Sequence, residues 1–215
     1  MGFFTNFHSK GIFEKSLNAT FISLIPKVIS AVDLKNFRPI SLVGRVYKIF
    51  AKVLASRLRK VIGKVIGRNQ HAFIPGRQIL DAAMIANRCI DSCIKSGNSG
   101  ILCKLDIEKA YDHIFWSFLM VILEKMRFPS KWRKWISFCI STVRFSILIN
   151  GEPAGFFSSS RGLRQGDPLS PLLFILVMEA LSKLVLKAVE EGFLEGVKIS
   201  NSRSEGVLIS PFAIR

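Results

Sequence analysis

The sequence predicts an α+β fold, and three observations support that class. Several long segments have the three- and four-residue apolar periodicity of helices, and several short apolar segments bordered by glycine or proline have the length of strands. The two kinds of element do not alternate regularly along the chain, as they do in parallel α/β sheets. The content of 49% hydrophobic and 21% charged residues is typical of a folded protein.

The predicted strands are short and end at turn residues. The first is Phe21–Pro26, and Gly100–Ile107 follows after a glycine-bordered turn. Phe145–Asn150 and Phe156–Ser160 are separated by a Gly-Glu-Pro turn and are predicted to form a β-hairpin. A last short strand is expected at Val207–Ile209.

The predicted helices include one that is unusually basic. Leu42–Ile66 has strong helical periodicity, and its lysines and arginines fall largely between the apolar positions. Such a helix suits either a solvated outer face or a membrane surface, and the sequence leaves both interpretations open. The other predicted helices are Ile79–Ile94, Phe115–Met126, Ser130–Thr142 and Ser170–Glu190.

The net charge of +16 is concentrated in the first part of the chain. Residues 1–80 contain fourteen Lys and Arg residues but only two acidic residues, Glu14 and Asp33. A basic region joined to a more balanced one indicates a surface that binds a polyanion such as nucleic acid. The alternative is a basic surface that is merely solvated.

The cysteines and the apolar segments indicate in which cellular compartment the protein is expected. The four cysteines lack the pair-plus-pair spacing of a zinc site, so free thiols in a reducing compartment are expected. Met1–Lys10 lacks the apolar core of a signal peptide, and the longest apolar run, Leu172–Met178, is far too short to span a membrane. The sequence therefore predicts an intracellular protein, in the cytoplasm or the nucleus, without a membrane partner.

An acidic segment at the end of the predicted strand Gly100–Ile107 is the first candidate for chemistry. Asp106, Glu108 and Asp112 place three carboxylates within seven residues. Strand alternation directs Asp106 away from its apolar neighbours where the chain leaves the sheet, and carboxylate oxygens are ligands that Mg²⁺ prefers. For Glu108 and Asp112 an acidic helix cap is the favoured alternative, whereas for Asp106 both interpretations stay open.

The second candidate is the segment Arg161–Pro171. Gly162 and Gly166 allow positive φ angles or a close approach of the backbone to a ligand, and Gln165 has an amide that both donates and accepts hydrogen bonds. A tight turn followed by a helix cap is the simpler explanation. However, the run of eleven such residues exceeds what a turn requires.

Together, these two segments strongly resemble the reverse transcriptases of LINE-type retrotransposons, especially those of plants. Elements of this type lack long terminal repeats. The first carries an Asp-x-x-x-Ala-Tyr-Asp pattern at 106–112, and the second carries Gly-Leu-Arg-Gln-Gly-Asp-Pro-Leu-Ser-Pro-Leu-Leu-Phe at 162–174. The resemblance runs from about Phe7 to about Gly196. Earlier segments that agree are Phe13–Thr20, Leu24–Lys27, Asn36–Leu42 and Gln70–Arg77.

The resemblance implies a right-hand polymerase fold. Residues 1–95 would form a basic, fingers-like region and residues 96–215 a partial palm, within one continuous reverse transcriptase domain fragment. The implied activity is that of an RNA-directed DNA polymerase, a nucleotidyltransferase that joins a primer 3′-oxygen to the α-phosphate of a deoxynucleotide using two Mg²⁺ ions. The implied partners are an RNA template, a DNA primer or the RNA–DNA hybrid, and deoxynucleotides.

The resemblance also implies roles for individual residues. Asp106 would be the catalytic carboxylate that bridges both metal ions, with the Ile107 carbonyl as a further oxygen ligand. Four further residues would bind the nucleotide. The Arg38 guanidinium would pair with the triphosphate, and Tyr111 would lie beneath the sugar and exclude a 2′-hydroxyl. Gln165 and Gly166 would pack on the nucleotide and the template.

The sequence departs from the family at the second aspartate motif. Family members have an aromatic residue followed by Ala-Asp-Asp, whereas here Phe212-Ala213 is followed by Ile214 and Arg215. We therefore expect a domain truncated before that motif, which does not polymerise alone. The alternative is a basic nucleic-acid-binding remnant without catalysis.

Overall fold

A computed structural model describes residues 2–97, 101–103 and 105–194 of the chain, which form an α+β fold as predicted. Two short 3-10 helices, at Lys15–Asn18 and Leu34–Asn36, accompany the main elements. The expected strand Val207–Ile209 lies outside the described residues. The main elements, in chain order, are α1 (Gly2–Lys10), β1 (Ala19–Pro26), β2 (Phe37–Val43), α2 (Arg45–Val65), α3 (Ile79–Ser96), α4 (Trp116–Lys125), α5 (Ser130–Ser141), β3 (Arg144–Ile149), β4 (Glu152–Phe157) and α6 (Ser170–Glu190).

The chain divides into two compact units. The first consists of residues 1–58 and 109–177, and the second of residues 59–108 and 178–215. The first unit contains the whole sheet, α1, α4, α5 and the beginning of α2 and α6, and the second contains α3. The division into a fingers-like region 1–95 and a partial palm 96–215 remains a prediction.

The sheet of the first unit is mixed and has the strand order β2-β1-β3-β4. β1 is antiparallel to β2 and parallel to β3, and β3 and β4 form the predicted antiparallel hairpin. The hairpin turns at Asn150 and Gly151, whose φ angles of 51° and 86° are the positive values that a tight two-residue turn requires. β2 is therefore an edge strand, and it carries Arg38.

Aromatic and aliphatic side chains fill the core of the first unit. Phe50 of α2 packs against Phe7 and Phe13, with ring centroids 4.8 and 5.0 Å apart, and Phe7 stacks on Trp135 of α5. These contacts attach α1, which the sequence did not predict, to the rest of the unit. The buried aliphatic residues include Leu54, Leu119, Leu123, Ile136, Leu172 and Leu173.

Helix α2 is strongly amphipathic. Its buried face includes Tyr47, Leu54 and Ile62, all at most 2% exposed. Its seven lysine and arginine residues are all exposed, and the helix contains no acidic residue. The basic residues are Arg45, Lys48, Lys52, Arg57, Arg59, Lys60 and Lys64. No helix in the described ranges is both long and apolar enough to cross a bilayer.

A compact turn follows α2 in the second unit. The Arg77 guanidinium donates hydrogen bonds to the carbonyl oxygens of Gly67 and Gln70, close to the end of the helix. The Gly67 amide donates to the buried Glu179 carboxylate at 3.0 Å. A cation beside the last carbonyls of a helix also interacts favourably with the helix dipole. This turn is therefore fixed by polar contacts.

One predicted strand is wrong. Residues 101–103 and 105–107 have no regular secondary structure and are exposed. A strand is stabilised by the neighbours with which it pairs, and none of the four described strands pairs with this segment. Asp106 and Ile107 therefore lie on an irregular, solvent-exposed stretch and not at the edge of a sheet.

Candidate functional site

A cleft of about 390 Å³ lies in the first unit, where the chain from β4 to α6 passes over β2. Pro39 and Ser41 of β2 form part of its wall. Asp112, Arg161 and Gln165 also line it. The cleft is thus bordered by both segments that the sequence singled out.

The segment 161–168 pairs with the outer edge of β2. The Ser41 amide donates a hydrogen bond to the Gln165 carbonyl at 2.9 Å. Gly166 has a φ of +96°, and a Cβ atom on it would lie 3.1 Å from the Ser41 carbonyl oxygen. Only glycine combines that backbone angle with so close an approach. The contact also covers part of the outer edge of β2, which does not face β1.

The same segment is tied to the end of the acidic segment. The Leu163 amide donates to the Tyr111 carbonyl at 2.9 Å, and the Gly162 amide donates to the Ile114 carbonyl at 2.8 Å. A Cβ atom on Gly162 would lie 3.3 Å from the Asp112 backbone. The structure therefore brings together two segments that are fifty positions apart in sequence.

A buried ion pair lies at the base of this segment. Arg164 Nη2 is 3.0 Å from Asp167 Oδ2, and both side chains are less than 5% exposed. The Tyr47 hydroxyl donates to the same carboxylate oxygen at 2.7 Å, and the Arg164 guanidinium lies over the Tyr47 ring, 3.8 Å from its centroid. The other Asp167 oxygen accepts the Leu169 amide. Both charges are therefore paired and hydrogen-bonded.

The remaining donors of Arg164 reach other elements. Arg164 Nη1 donates to Asn18 Oδ1 at 2.9 Å and to Thr20 Oγ1 at 3.1 Å, and Nη2 donates to the Cys139 carbonyl. Asn18, which is fully buried, donates in turn to that same carbonyl. The guanidinium therefore connects β1, α5 and the residues before β1 to the segment 161–168.

Burial changes the ionisation of two neighbouring groups. Burial, together with the Asp167 carboxylate, raises the pKa of Tyr47 well above 10.0. Burial raises the pKa of the Cys139 thiol from 9.0 to about 12, although the Arg164 charge partly opposes this. Both groups are therefore neutral near pH 7, and Tyr47 remains a hydrogen-bond donor to Asp167.

The structure places Gln165 and Gly166 together at the β2 edge of the cleft, whereas Arg38 and Tyr111 are not among the residues that line it. Gln165 lines the cleft, and Gly166 lies against Ser41 at the β2 edge. Arg38 is exposed three positions earlier on β2, and strand alternation directs it to the face opposite Ser41. Tyr111 is half-buried with its ring 5.1 Å from that of Phe174, and burial raises its pKa.

The predicted metal ligands lie in the second unit. Asp106 and Ile107 are exposed, and within the ranges that the structure describes no three His, Cys, Asp or Glu side chains form a group that could hold a metal ion. One carboxylate and one carbonyl do not supply the oxygen ligands that two Mg²⁺ ions need. The described residues therefore do not fit a two-metal site, and the metal-binding roles of Asp106 and Ile107 remain predictions.

Comparison with known proteins identifies the family. Residues 25–201 match the family model of reverse transcriptase (RNA-dependent DNA polymerase). The chain belongs to this family. An uncharacterized 149 kDa protein of transposon TX1 from Xenopus laevis is 31% identical over 183 residues, which cover 85% of this chain and 14% of that protein.

Further relatives indicate the type of reverse transcriptase. The Pol polyprotein of a type-1 retrotransposable element R2 from Nasonia vitripennis is 28% identical over 177 residues, 81% of this chain and 17% of that protein. An uncharacterized mitochondrial protein of Arabidopsis thaliana is 58% identical over 55 residues, 26% of this chain and 45% of that protein. The chain is a reverse transcriptase domain of the non-long-terminal-repeat type, and it spans about a seventh of the long relatives.

Sequence reasoning missed the most buried part of the candidate site. Arg164 and Asp167 were recognised as part of a motif, but no role followed from their positions. Their opposite charges three residues apart, in the stretch that also contains Gly162 and Gly166, are the available signal. Nothing in the sequence indicates that Tyr47 and Asn18 complete the cluster, because these contacts join residues 120 and 146 positions apart.

We predict that the reverse transcriptase domain loses stability as the pH rises above about 9. The Cys139 thiol ionises near 9.0 in the unfolded chain but near 12 in the fold, so the unfolded state releases its proton first. The free energy of unfolding should fall by up to about 1.4 kcal/mol per pH unit in that window. Urea denaturation between pH 8.5 and 9.5 measures this slope below pH 10.0, where Tyr47 contributes substantially in the same direction.

The slope should flatten in Cys139→Ala and persist in Cys103→Ala, because Cys103 is exposed. Equal slopes for the wild type and Cys139→Ala would contradict the assignment of the slope to the buried thiol.

We also predict that Gly166→Ala is more destabilising than Gly151→Ala. Both glycines have strongly positive φ angles, +96° and +86°, but only the added Cβ at position 166 would meet a backbone oxygen. Strain of this kind costs on the order of 1–3 kcal/mol, so the difference between the two variants isolates the contact with Ser41. Chemical denaturation of both variants measures it, and equal losses would show that Gly166 does not approach β2 closely.

Proposed function

We propose that this chain is the fingers and partial palm of an RNA-directed DNA polymerase encoded by a LINE-type element. The observation that carries the proposal is the docking of the segment 161–168 on β2, which presents Gln165 and Gly166 beside the strand that carries Arg38. Its partners would be an RNA template with a DNA primer or hybrid, and deoxynucleotides.

The proposed nucleotide site follows from the chemistry of these residues. Arg38 is an exposed guanidinium, a planar and permanently charged group suited to a triphosphate. Gln165 supplies an amide to the cleft wall, and Gly166 lets the backbone of the same segment lie against Ser41 of β2. Tyr111 is proposed to lie beneath the sugar of the bound nucleotide.

The proposed nucleic-acid surface is the exposed face of α2. Seven cations on one helix that itself contains no acidic residue favour a ligand that carries many negative charges. Binding of such a ligand releases the counterions condensed on its phosphates, so affinity depends strongly on salt and little on sequence. A template, a primer strand or their hybrid has this property.

The proposed metal site is incomplete in these 215 residues. Asp106 and the Ile107 carbonyl are the ligands proposed for Mg²⁺, but a second motif with two aspartates would have to complete the set. In this sequence Ile214 and Arg215 follow Phe212-Ala213 at that place, and neither side chain offers an oxygen ligand. We therefore propose that the 215-residue chain binds nucleic acid without polymerising, which is also the outcome expected of a non-catalytic remnant.

The chain should bind RNA–DNA hybrid or single strands with an affinity that falls as salt rises. The logarithm of the affinity should fall linearly with the logarithm of salt concentration, by roughly 0.7–0.9 per phosphate contacted. Reversal of Lys48, Lys52, Lys60 and Lys64 to Glu should weaken binding and reduce this slope. Fluorescence anisotropy with labelled oligonucleotides measures both quantities.

The matched control reverses Lys10, Lys95, Lys125 and Lys134, which are exposed elsewhere and give the same change in net charge. Equal losses in the two variants would indicate a general charge effect and reject α2 as the surface. Binding to vesicles of acidic lipid without binding to nucleic acid would favour a membrane-surface helix.

The chain should incorporate no deoxynucleotide on a primed RNA template in Mg²⁺ or Mn²⁺. The physical reason is that one aspartate does not supply the ligands for two metal ions. Primer extension followed on a gel tests this, with Asp106→Ala as the background. Incorporation clearly above that background would show that other carboxylates complete the site.

A further inference from the structure

Phe73 has an unusual backbone and an unusual exposure. Its φ of +57° lies in the left-handed region, where the Cβ of a bulky residue is crowded by the following carbonyl oxygen. Five non-glycine residues in the described ranges have positive φ angles, and Phe73 is the one aromatic residue among them. Its side chain is 50% exposed, so a large apolar ring also faces water. Backbone strain combined with an exposed aromatic ring is typical of a functional position.

The neighbouring residues hold Phe73 in this conformation. Ala72 and Ile74 on either side are buried, at 2% and 4% exposure. The Ala72 amide donates to the Gln70 side chain at 3.0 Å, and the Arg77 amide donates to the Ile74 carbonyl at 3.2 Å. Because both neighbours are fixed inside the second unit, the chain between them must project the Phe73 ring outward.

The surroundings of this turn are basic. A Cβ atom on Gly63 would lie 3.9 Å from the Ile74 side chain, so the turn is docked on the last part of α2. Residues 59–80 contain five lysines and arginines and no acidic residue. The exposed cations among them are Arg59, Lys60, Lys64 and Arg68. The acids that contact this stretch are Asp81, 3.8 Å from His71, and the buried Glu179, which accepts the Gly67 amide. A projecting ring in a cationic setting suits a partner that combines negative charge with flat apolar faces.

We infer that Phe73 is a stacking platform for an unpaired base of a bound RNA or DNA strand. The inference rests on the proposed nucleic-acid binding and adds to it a contact with the base instead of the phosphate. Stacking of bases on aromatic side chains is tolerant of sequence, because every base has a flat face. The strained and anchored backbone holds the ring in place before a ligand binds. A ring that is already fixed loses little conformational entropy on binding.

The test uses the full chain and three substitutions at position 73. Phe73→Leu removes the ring but keeps an apolar side chain, and should weaken binding of a short single strand by roughly 5- to 150-fold, the range that 1–3 kcal/mol of stacking represents. Phe73→Trp should bind at least as well as the wild type. Phe73→Gly should bind as weakly as Phe73→Leu but be no less stable, because glycine relieves the backbone strain.

Two controls separate stacking from charge and from general damage. Phe118→Leu removes another exposed ring, 45% accessible, and should bind normally. The salt slope of Phe73→Leu should equal that of the wild type, because no phosphate contact is lost. An oligonucleotide with abasic sites should bind equally to wild type and Phe73→Leu, because it offers no base to stack.

Each outcome is decisive. If Phe73→Leu binds like the wild type while the four α2 lysine reversals still weaken binding, the stacking inference is overturned and the proposed function stands. If the wild type binds no nucleic acid at all, the proposed function fails and the inference fails with it. Loss of self-association in Phe73→Leu, with unchanged oligonucleotide binding, would reassign the ring to a protein interface and overturn base stacking.

Discussion

The Arg164–Asp167 ion pair fixes the geometry of the first unit. Removal of two charges from water costs several kcal/mol per ion, and the cost is offset only where each charge is well hydrogen-bonded. Here Arg164 donates to Asn18, Thr20 and the Cys139 carbonyl, while Asp167 accepts from Tyr47 and Leu169. The pair is therefore stable only when β1, α2, α5 and the start of α6 are all in place.

The ion pair determines how Gln165 and Gly166 are positioned at the candidate site. Gln165 and Gly166 lie between the two buried charges in sequence, so the ion pair fixes both ends of the short stretch that carries them. The Ser41 amide and the absence of a Cβ at Gly166 then set the distance of that stretch from β2. Preorganised groups of this kind bind a ligand without a further ordering cost.

The sequence predicted the helices well because their apolar periodicity reflects burial on one face. It missed β2, in part because Pro39 interrupts an otherwise strand-like segment, and proline is tolerated there only on an edge strand. It misplaced Asp106 at a strand end because an apolar run does not reveal whether a pairing partner is available. The resemblance singled out Gln165 and Gly166, whose roles remain predictions, but the ion pair that flanks them depends on distant residues and was beyond local pattern reasoning.

The seven cations of α2 link the stability of the fold to ionic strength and to any polyanion that binds the helix. Seven exposed cations on one helix repel each other, and this repulsion opposes the compact state most strongly at low ionic strength, where screening is weakest. A bound polyanion removes the repulsion only from the folded helix, so it stabilises the fold by mass action. The surface proposed to recognise nucleic acid is thus also one at which like charges oppose folding, so a polyanion bound there would stabilise the fold.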